Sequence, residues 1–247
     1  MEHIARFFRW LYEALGINLT IFYDALDRQQ FLNGVWTTIH LAIVCVILSI
    51  AIGAVGVWLQ GLKSTPVRWL VAAYINFFRN TPPLVQLYFF FFALDPVISG
   101  TVGHTGGLLS SYGWAVIALS LYAGAFNVEV FRSGIEAVAH STHEAAEALG
   151  YTDLQIFRHV TFPLALRIAL PALGSNLVNL IKATTMTYAI SVAETLYVSN
   201  QIWSQSSNVF EMMNVVWIVY LVIVGIFMAL MNRWEKALRV PGFGRNA

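Results

Sequence analysis

Long uninterrupted apolar runs constrain the fold of this 247-residue chain more than any other feature of its sequence. Several runs reach the roughly 20 residues that an α-helix needs to cross about 30 Å of hydrocarbon. In lipid the backbone satisfies its own hydrogen bonds only as a helix or a closed barrel, and these runs lack the polar alternation of barrel strands. With 58% hydrophobic and 11% charged residues, the composition is that of an integral membrane protein. We therefore predict an all-α membrane protein.

Five transmembrane helices are predicted, and Lys and Arg predict their orientation because positive residues stay in cytoplasmic loops near span ends. The predicted helices span residues 36 to 60, 67 to 94, 112 to 135, 164 to 190 and 212 to 232. Segments 95 to 111 and 191 to 211 contain no Lys or Arg. The positive residues on the opposite side are Lys63, Arg68, Arg158, Arg167, Arg233, Lys236, Arg239 and Arg245. This predicts an external N-terminus and a cytoplasmic C-terminus, with Arg6, Arg9 and Arg28 discordant.

The ends of the chain are predicted to flank one transmembrane domain at 34–235. Segment 1–33 mixes charges with aromatics, which is typical of an amphipathic helix in the membrane interface; a cleavable signal peptide is the less favoured alternative, because charges break its apolar runs. Segment 236–247 is predicted to be a cytoplasmic tail. The lone Cys45 cannot form a disulfide within the chain, and the net charge of +1 argues against nucleic acid as a partner.

A polar elbow at 136–163 lies between the third and fourth predicted spans. Ser141 precedes Glu144 by three residues and Thr152 precedes Gln155 by three, so each pair predicts a capping box at a helix start. Gly150 can end the first short helix in the left-handed conformation, and Pro163 limits continuation of the second. Such an elbow suits a membrane subunit that a protein outside the bilayer must hold and move. The alternative is a solvated amphipathic loop.

Polar residues inside the predicted spans are candidates for a substrate path. Arg79 is predicted near mid-bilayer depth, and the following Asn80-Thr81-Pro82-Pro83 should interrupt the helix, as in transporters with broken helices. The alternative for Arg79 is a salt bridge to a neighbouring span. Lys182 lies in a polar stripe that suits a cavity wall or a subunit seam.

Three acidic or basic residues favour structural interpretations. Glu129 and Arg132 are three residues apart, so they share a helix face and are predicted to form a structural ion pair, with a direct role in ligand binding as the alternative. Glu194 is predicted to be a solvated loop carboxylate, with guidance of substrate or contact with a partner as the alternative.

Several motifs are absent from the sequence. It has no Gly-x-x-x-x-Gly-Lys-Ser/Thr loop for a nucleotide, no His-Glu-x-x-His pair and no Gly-x-Ser-x-Gly elbow. Its six His residues show no metal-ligand spacing, so we predict no metal site and no cofactor on this chain.

The elbow resembles the signature of permease subunits of bacterial ATP-binding-cassette importers. The matching residues are Glu144, Ala145, Ala146, Gly150, Val160, Phe162 and Pro163, where Val160 and Phe162 replace the family's usual Ile and Leu. Three further stretches resemble the polar amino acid uptake branch, which includes histidine, glutamine, arginine, glutamate and opine permeases. They are Phe78–Gln86 (FRNTPPLVQ), Gly124–Ile135 (GAFNVEVFRSGI) and Asn176–Thr185 (NLVNLIKATT).

This resemblance implies a type I importer permease fold in the inner membrane, with a cytoplasmic coupling helix. The coupling residues would be Glu144, Ala145, Ala146, Glu147 and Gly150. The residues predicted along the substrate path are Arg79, Asn80, Thr81, Gln86, Asn176, Lys182 and Thr184. The implied partners are two ATPase subunits that carry ATP and magnesium, a second identical or homologous permease subunit, a periplasmic substrate-binding protein and an amino acid.

The substrate class and two competing functions stay open at this point. Ala183 follows Lys182 where relatives often carry an acidic residue, and this favours acidic or neutral polar amino acids. A secondary transporter or channel without an ATPase is one alternative; it would more often carry coupling-ion carboxylates within its spans. A membrane scaffold without a transport path is the other.

Overall fold

The computed structural model describes residues 2–103 and 107–238, and every regular element in these ranges is helical. The α-helices are α1 (Glu2–Leu15), α2 (Thr20–Tyr23), α3 (Ala25–Gln60), α4 (Thr65–Asn80), α5 (Pro83–Tyr88), α6 (Asp95–Val102), α7 (Ser111–Glu136), α8 (His140–Ala148), α9 (Asp153–Ile156), α10 (Phe162–Ala183), α11 (Thr195–Ser206) and α12 (Val209–Ala237). Two π-helical segments, Phe89–Leu94 and Phe157–Thr161, and one 3₁₀ segment, Thr184–Ile190, continue neighbouring helices.

Five helical runs in the described ranges are long and apolar enough to cross a membrane. They are Ala25–Gln60, Pro83–Val102, Ser111–Glu136, Asp153–Ile190 and Val209–Ala237. The predicted all-α class and the number of spans are therefore confirmed, while several boundaries differ. Helix α3 begins 11 residues before the predicted first span, within the predicted N-terminal segment. Arg239 and Arg245 of the predicted tail lie outside the described residues.

The predicted second span, 67 to 94, consists of two helices that meet at the predicted interruption. Helix α4 ends at Asn80, Thr81 is extended at φ −116° and ψ 145°, and a new helix starts at Pro83. The two prolines explain the break, because a residue before proline avoids the α-helical region. The predicted interruption is thus confirmed. Arg79 lies in the last turn of α4, directly before the break, and so at the end of a helix and not within a continuous one.

The prediction that Pro163 limits helical continuation is wrong, since the chain stays helical from Asp153 to Ile190. A π-helical segment at Phe157–Thr161 precedes α10. Proline removes one backbone donor, and a π-helical turn is one local adjustment by which helices accommodate it. His159 Nδ1 also lies 3.0 Å from the carbonyl oxygen of Gln155.

The described chain divides into two compact units. The first combines residues up to Cys45 with Pro83–Leu119 and Ile181–Gly225. The second combines Val46–Pro82, Ser120–Leu180 and the residues from Ile226 onward.

In the first unit, the N-terminal segment is tied to the turn between α11 and α12. The backbone N–H of Asn18 donates to Glu211 Oε1 at 2.9 Å, and its side-chain amide donates to the Ser206 carbonyl at 3.1 Å. Asn208 Nδ2 donates back to the Asn18 carbonyl at 2.8 Å. A buried cluster beside this network consists of Ile21, Phe31, Val198, Ile202 and Met212. The N-terminal helices therefore lie at the same end of this unit as the α11–α12 turn.

In the second unit, close helix packing depends on small residues. Val71, Ile75 and Val128 form a buried cluster between α4 and α7. Gly134 on α7 lies so close to α10 that a Cβ atom there would be 2.7 Å from the Ala165 carbonyl oxygen and 2.9 Å from Ala169 Cβ. The absence of a side chain at Gly134 is what permits this approach.

Candidate functional site

The elbow begins with α8, which ends at a left-handed glycine as predicted. Gly150 has φ +83°, and its N–H donates to the Glu147 carbonyl at 2.8 Å. The N–H of Tyr151 reaches back to the Ala146 carbonyl at 3.2 Å. These two bonds form a Schellman motif, which satisfies carbonyl groups that the end of a helix leaves without partners. The reversal after α8 is therefore encoded locally by Gly150.

The start of α9 confirms one of the two predicted capping boxes. Thr152 occupies the N-cap position, and its N–H donates to Gln155 Oε1 at 2.9 Å. The other prediction is wrong, because α8 starts at His140 with Ala139 at its N-cap. Ser141 therefore lies inside the first turn, where its hydroxyl is no longer at the capping position.

The elbow has a small interior and an unusually apolar surface. Ala146 and Ile156 are buried where α8 and α9 meet. Leu149 is 78% exposed and Leu154 is 76% exposed, and Tyr151, Phe157 and Phe162 are exposed as well. Exposed apolar patches of this kind mark interaction sites.

Acidic residues of α8 form exposed pairs with histidines one turn earlier. Glu144 Oε1 lies 3.0 Å from His140 Nδ1, and Glu147 Oε1 lies 3.5 Å from His143 Nδ1. His143, Glu147 and Asp153 offer ligand atoms within 4.8 Å of one another, the one such group among the described residues. Pairing at i, i+4 spacing accounts for the His143–Glu147 contact without an ion.

A cluster of alternating charges joins α4 to α7. Arg132 contacts Glu129 through Nη2 at 2.7 Å and Glu136 through Nη1 at 2.7 Å. Arg79 Nη1 lies 3.5 Å from Glu129 Oε2, and its guanidinium carbon lies 5.4 Å from the centre of the Phe126 ring. The sequence predicted the ion pair between Glu129 and Arg132 from their spacing on one helix. The additional contact of Arg79 with Glu129 depends on the packing of α4 against α7, which spacing along one helix does not reveal.

Asn176 belongs to a hydrogen-bonded chain between helices of the second unit. Its Nδ2 donates to Asn127 Oδ1 at 2.7 Å and to the Ala123 carbonyl at 3.1 Å. Asn127 is fully buried and donates in turn to Ser49 Oγ at 3.2 Å. Both donors of the Asn176 amide are therefore used between α7 and α10. Asn127 and Ser49 were not singled out from the sequence, although an Asn in an apolar run is the signal that could have found Asn127.

The other predicted substrate residues differ in exposure. Asn80 and Lys182 are exposed, and Lys182 makes no ion pair with any residue that the structure describes. Gln86 is buried on α5, a helix that contacts the 3₁₀ segment beginning at Thr184. The Thr184 hydroxyl is buried and donates to the Ile181 carbonyl at 2.8 Å, whereas that of Thr81 donates to the Phe77 carbonyl at 2.7 Å. Gln86, Lys182 and Thr184 thus belong to the first unit, while Arg79, Asn80, Thr81 and Asn176 belong to the second.

The prediction that Glu194 is a solvated loop carboxylate is wrong, because its side chain is fully buried. Its carboxylate caps α11 by accepting from the N–H groups of Leu196 at 2.9 Å and Tyr197 at 2.8 Å. The Tyr220 hydroxyl donates to the same carboxylate at 3.0 Å. Burial raises the pKa of the Glu194 carboxyl, and these hydrogen bonds oppose the shift. Nearby, Thr38 Oγ1 accepts from the Thr195 N–H at 3.0 Å.

Comparison with known proteins places this geometry in context. The sequence profile described as "Binding-protein-dependent transport system inner membrane component" matches residues 52–240. The probable glutamine ABC transporter permease protein GlnM of Bacillus subtilis (strain 168) is 27% identical, over 90% of this chain and 98% of that protein. The nopaline transport system permease protein NocM of Agrobacterium fabrum (strain C58) is 31% identical, over 78% and 81%. The histidine/lysine/arginine/ornithine permease HisM of Escherichia coli (strain K12) is 28% identical, over 85% and 89%.

Two solved structures share the fold. A chain of an amino acid ABC transporter crystallised with histidines has a TM-score of 0.75 at 26% identity, covering 85% of this chain and 94% of that chain. An inward-facing MetNI methionine ABC transporter chain has a TM-score of 0.68 at 22% identity, covering 88% and 100%. The five apolar helices and the polar elbow are therefore arranged in the type I importer permease fold.

Proposed function

The chain belongs to the family of binding-protein-dependent transport system inner membrane components, and we propose that it moves a polar amino acid into the cell. It is a multi-pass permease subunit of an ATP-binding-cassette importer, as its relatives are by name.

We assign coupling to the elbow, and the observation that carries this proposal is its exposed apolar surface. Leu149 and Leu154 are exposed on a segment whose backbone is fixed by the Schellman motif and the capping box. A segment with a fixed backbone can transmit the movement of a bound partner to the membrane helices, whereas a flexible loop cannot. Glu144 and Glu147 flank the apolar residues with exposed carboxylates that suit basic groups on a partner. Two ATPase subunits, which bind ATP and magnesium, would hold this elbow and that of a second permease subunit, identical or homologous.

The proposed transport cycle is an alternating-access cycle. A periplasmic binding protein delivers the amino acid to the outer side of the permease pair. Closure of the ATPases brings the two elbows together and converts the helices from inward-open to outward-open as rigid bodies. ATP hydrolysis on the partner subunits resets them, so this chain needs no catalytic residue.

For the substrate we propose an acidic or neutral polar amino acid. Its carboxylate would accept hydrogen bonds from a cationic side chain. The two candidates are Lys182, which is exposed, and Arg79, which shares the carboxylate of Glu129 with Arg132. Ala183 supplies no carboxylate beside Lys182 for a basic side chain. The relatives' names cover glutamine, nopaline and basic amino acids, so family membership alone does not choose among them.

The proposed orientation places the N-terminus outside and the elbow and C-terminus in the cytoplasm. The bonds of Asn18 to the turn between α11 and α12 support it. That turn belongs to segment 191 to 211, which carries no Lys or Arg. The discordant Arg6 and Arg9 would then lie outside the membrane core at the outer interface.

Purification with and without Glu144→Lys tests the coupling proposal. We expect the wild-type chain to copurify with an ATPase that carries a phosphate-binding loop, and Glu144→Lys to lose both that ATPase and amino acid uptake. Glu13→Lys is the matched control, because it reverses an exposed carboxylate on α1, away from the elbow in the sequence. Uptake that persists in Glu144→Lys without an ATPase would contradict the proposal.

A further inference from the structure

An open cavity of about 710 Å³ lies where α7 meets the elbow. The end of α3, the beginning of α4 and the last turns of α7 surround it, so all its walls belong to the second unit. Its polar lining residues are Gln60, Thr65, Arg68, Arg132 and Glu136. None of these residues is needed for the coupling proposed above.

The charged residues around the cavity leave one cation and one acceptor available to a ligand. Arg132 is already paired with both Glu129 and Glu136. Arg68 is exposed and makes no ion pair with the part of the chain that the structure describes. Glu136 is 61% exposed, and each of its carboxylate oxygens keeps a lone pair beyond the bond to Arg132.

Gln60 adds a second acceptor with an unmet requirement. Its Oε1 atom is buried and has no hydrogen-bond partner among the described residues. A buried acceptor without a partner is destabilising. Gln60 lines the cavity, so rotation of its side chain would bring Oε1 to a bound donor and relieve this cost. The cavity is therefore complementary to a molecule that carries both an anionic group and an N–H-bearing cation.

The surroundings of the cavity are those of a membrane interface. Trp58 and Trp69 are exposed at the adjoining ends of α3 and α4, and Lys63 lies in the connection between these helices. Trp and basic residues at helix ends are typical of the headgroup region. The apolar wall residues Val57, Ala72 and Ile135 suit the glycerol and the first carbons of an acyl chain.

We propose that this cavity binds a phospholipid with a primary ammonium headgroup, such as phosphatidylethanolamine. Its phosphate accepts from Arg68, and its ammonium donates to Gln60 Oε1 and to Glu136. The lipid would lie in the cytoplasmic leaflet. This placement rests on the proposed function, in which the elbow is cytoplasmic. The headgroup bridges α3, α4 and α7 beside the elbow.

Lipid titration of the complete, delipidated transporter followed by native mass spectrometry tests this site. Phosphatidylcholine is the matched probe, since it has the same phosphate and charge but no N–H donor on its cation. We expect the wild type to bind phosphatidylethanolamine about tenfold more tightly than phosphatidylcholine. Gln60→Leu should remove this preference, and Arg68→Ala should weaken both lipids. Lys63→Ala should change neither, because Lys63 does not line the cavity.

Three outcomes would overturn the proposal: equal wild-type affinity for the two lipids, unchanged binding in both Gln60→Leu and Arg68→Ala, or displacement of the lipid by a free amino acid. The last would assign the cavity to the transported substrate. ATPase copurification is measured in the same samples. Loss of lipid binding with the ATPase retained would locate the failure at this cavity and not at the coupling surface. Conversely, loss of the ATPase in Glu144→Lys with an unchanged lipid preference would locate the failure at the coupling surface.

Discussion

Arg79 and Arg132 share the carboxylate of Glu129, with Nη1 of Arg79 3.5 Å and Nη2 of Arg132 2.7 Å from its Oε2 atom. Arg132 is anchored a second time by Glu136, whereas Arg79 has Glu129 and the Phe126 ring. Arg79 is thus the more loosely held of the two arginines, at 42% exposure, and the one better placed to exchange its partner for a substrate carboxylate.

We expect Arg79→Ala to raise the substrate concentration that gives half-maximal ATPase stimulation in the reconstituted complex. Assembly should be retained, because a partly exposed ion pair contributes about 1 kcal/mol or less. Glu129→Gln is the comparison variant; it removes the carboxylate that competes with substrate for Arg79, so it should lower this concentration, the opposite direction to Arg79→Ala. Equal apparent affinity in a well-assembled Arg79→Ala complex would remove Arg79 from the substrate path.

Replacement of Gly150 should uncouple the elbow without disturbing the membrane helices. A Cβ at φ +83° meets no atom within 4 Å, so Gly150→Ala is opposed by backbone conformation alone, by about 1 to 2 kcal/mol. We expect reduced ATPase association by pull-down. Gly150→Asn should be milder because asparagine tolerates the left-handed region, and Gly225→Ala, also in open space, should be silent. Identical association in Gly150→Ala and wild type would contradict this account.

Gly134→Ala should destabilise the packing of α7 against α10. The new methyl group would lie 2.7 Å from the Ala165 carbonyl oxygen, and backbone cannot move aside cheaply. Overpacking of this kind typically costs about 1 to 3 kcal/mol. The melting temperature of the purified complex measures the effect, with Gly100→Ala, which meets nothing within 4 Å, as the control. A melting temperature equal to that of the control would show that the helices can separate freely.

Two apolar residues of the elbow should respond in opposite ways. Ile156 is fully buried, so Ile156→Ala should destabilise the elbow by about 2 to 5 kcal/mol, seen as faster proteolysis within 140–160. Leu154 is 76% exposed, so Leu154→Ser should leave proteolysis unchanged and weaken ATPase binding. Full ATPase binding by Leu154→Ser would exclude this surface from the interface.

Glu194 should make the stability of the complex depend on pH. Because burial raises its pKa in the folded state, the unfolded chain loses this proton first as the pH rises above the ordinary value of 4.5. The folded state then binds more protons than the unfolded state, and its stability falls until the folded pKa is passed. Relative to Glu194→Gln, the wild-type melting temperature should therefore decline across this interval. Parallel melting profiles would contradict the assignment.

The sequence predicted features with local causes and missed those that depend on packing. The helix break after Asn80, the left-handed Gly150 and the capping box at Thr152 follow from residues adjacent in the chain. The buried carboxylate of Glu194 accepts a hydrogen bond from Tyr220 on α12, which is 26 residues away in the chain. Hydropathy likewise did not show where the second span begins, because Thr65–Asn80 and Pro83–Val102 are both rich in apolar residues.

The two incorrect elbow predictions have a common physical reason. Ser141 and Pro163 are residues that often begin or end helices, but neither does so here. Where a helix begins and ends depends on all the hydrogen-bond partners available to its backbone and not on one residue type. Ala139 therefore takes the N-cap position of α8, and the chain stays helical at Pro163 after the π-helical segment Phe157–Thr161. The roles of the predicted substrate residues remain predictions.

The π-helical segment Phe157–Thr161 also resets the angular register of the long helical run that contains it. One extra residue in a turn rotates everything downstream by about 100° relative to an uninterrupted α-helix with 3.6 residues per turn. A helical wheel drawn through 153–183 therefore superimposes two different phases. A one-residue deletion within this segment would therefore close it into a regular α-helix and leave α10 in its present rotation, so that Asn176 keeps its contact with Asn127 and Ala165 its approach to Gly134.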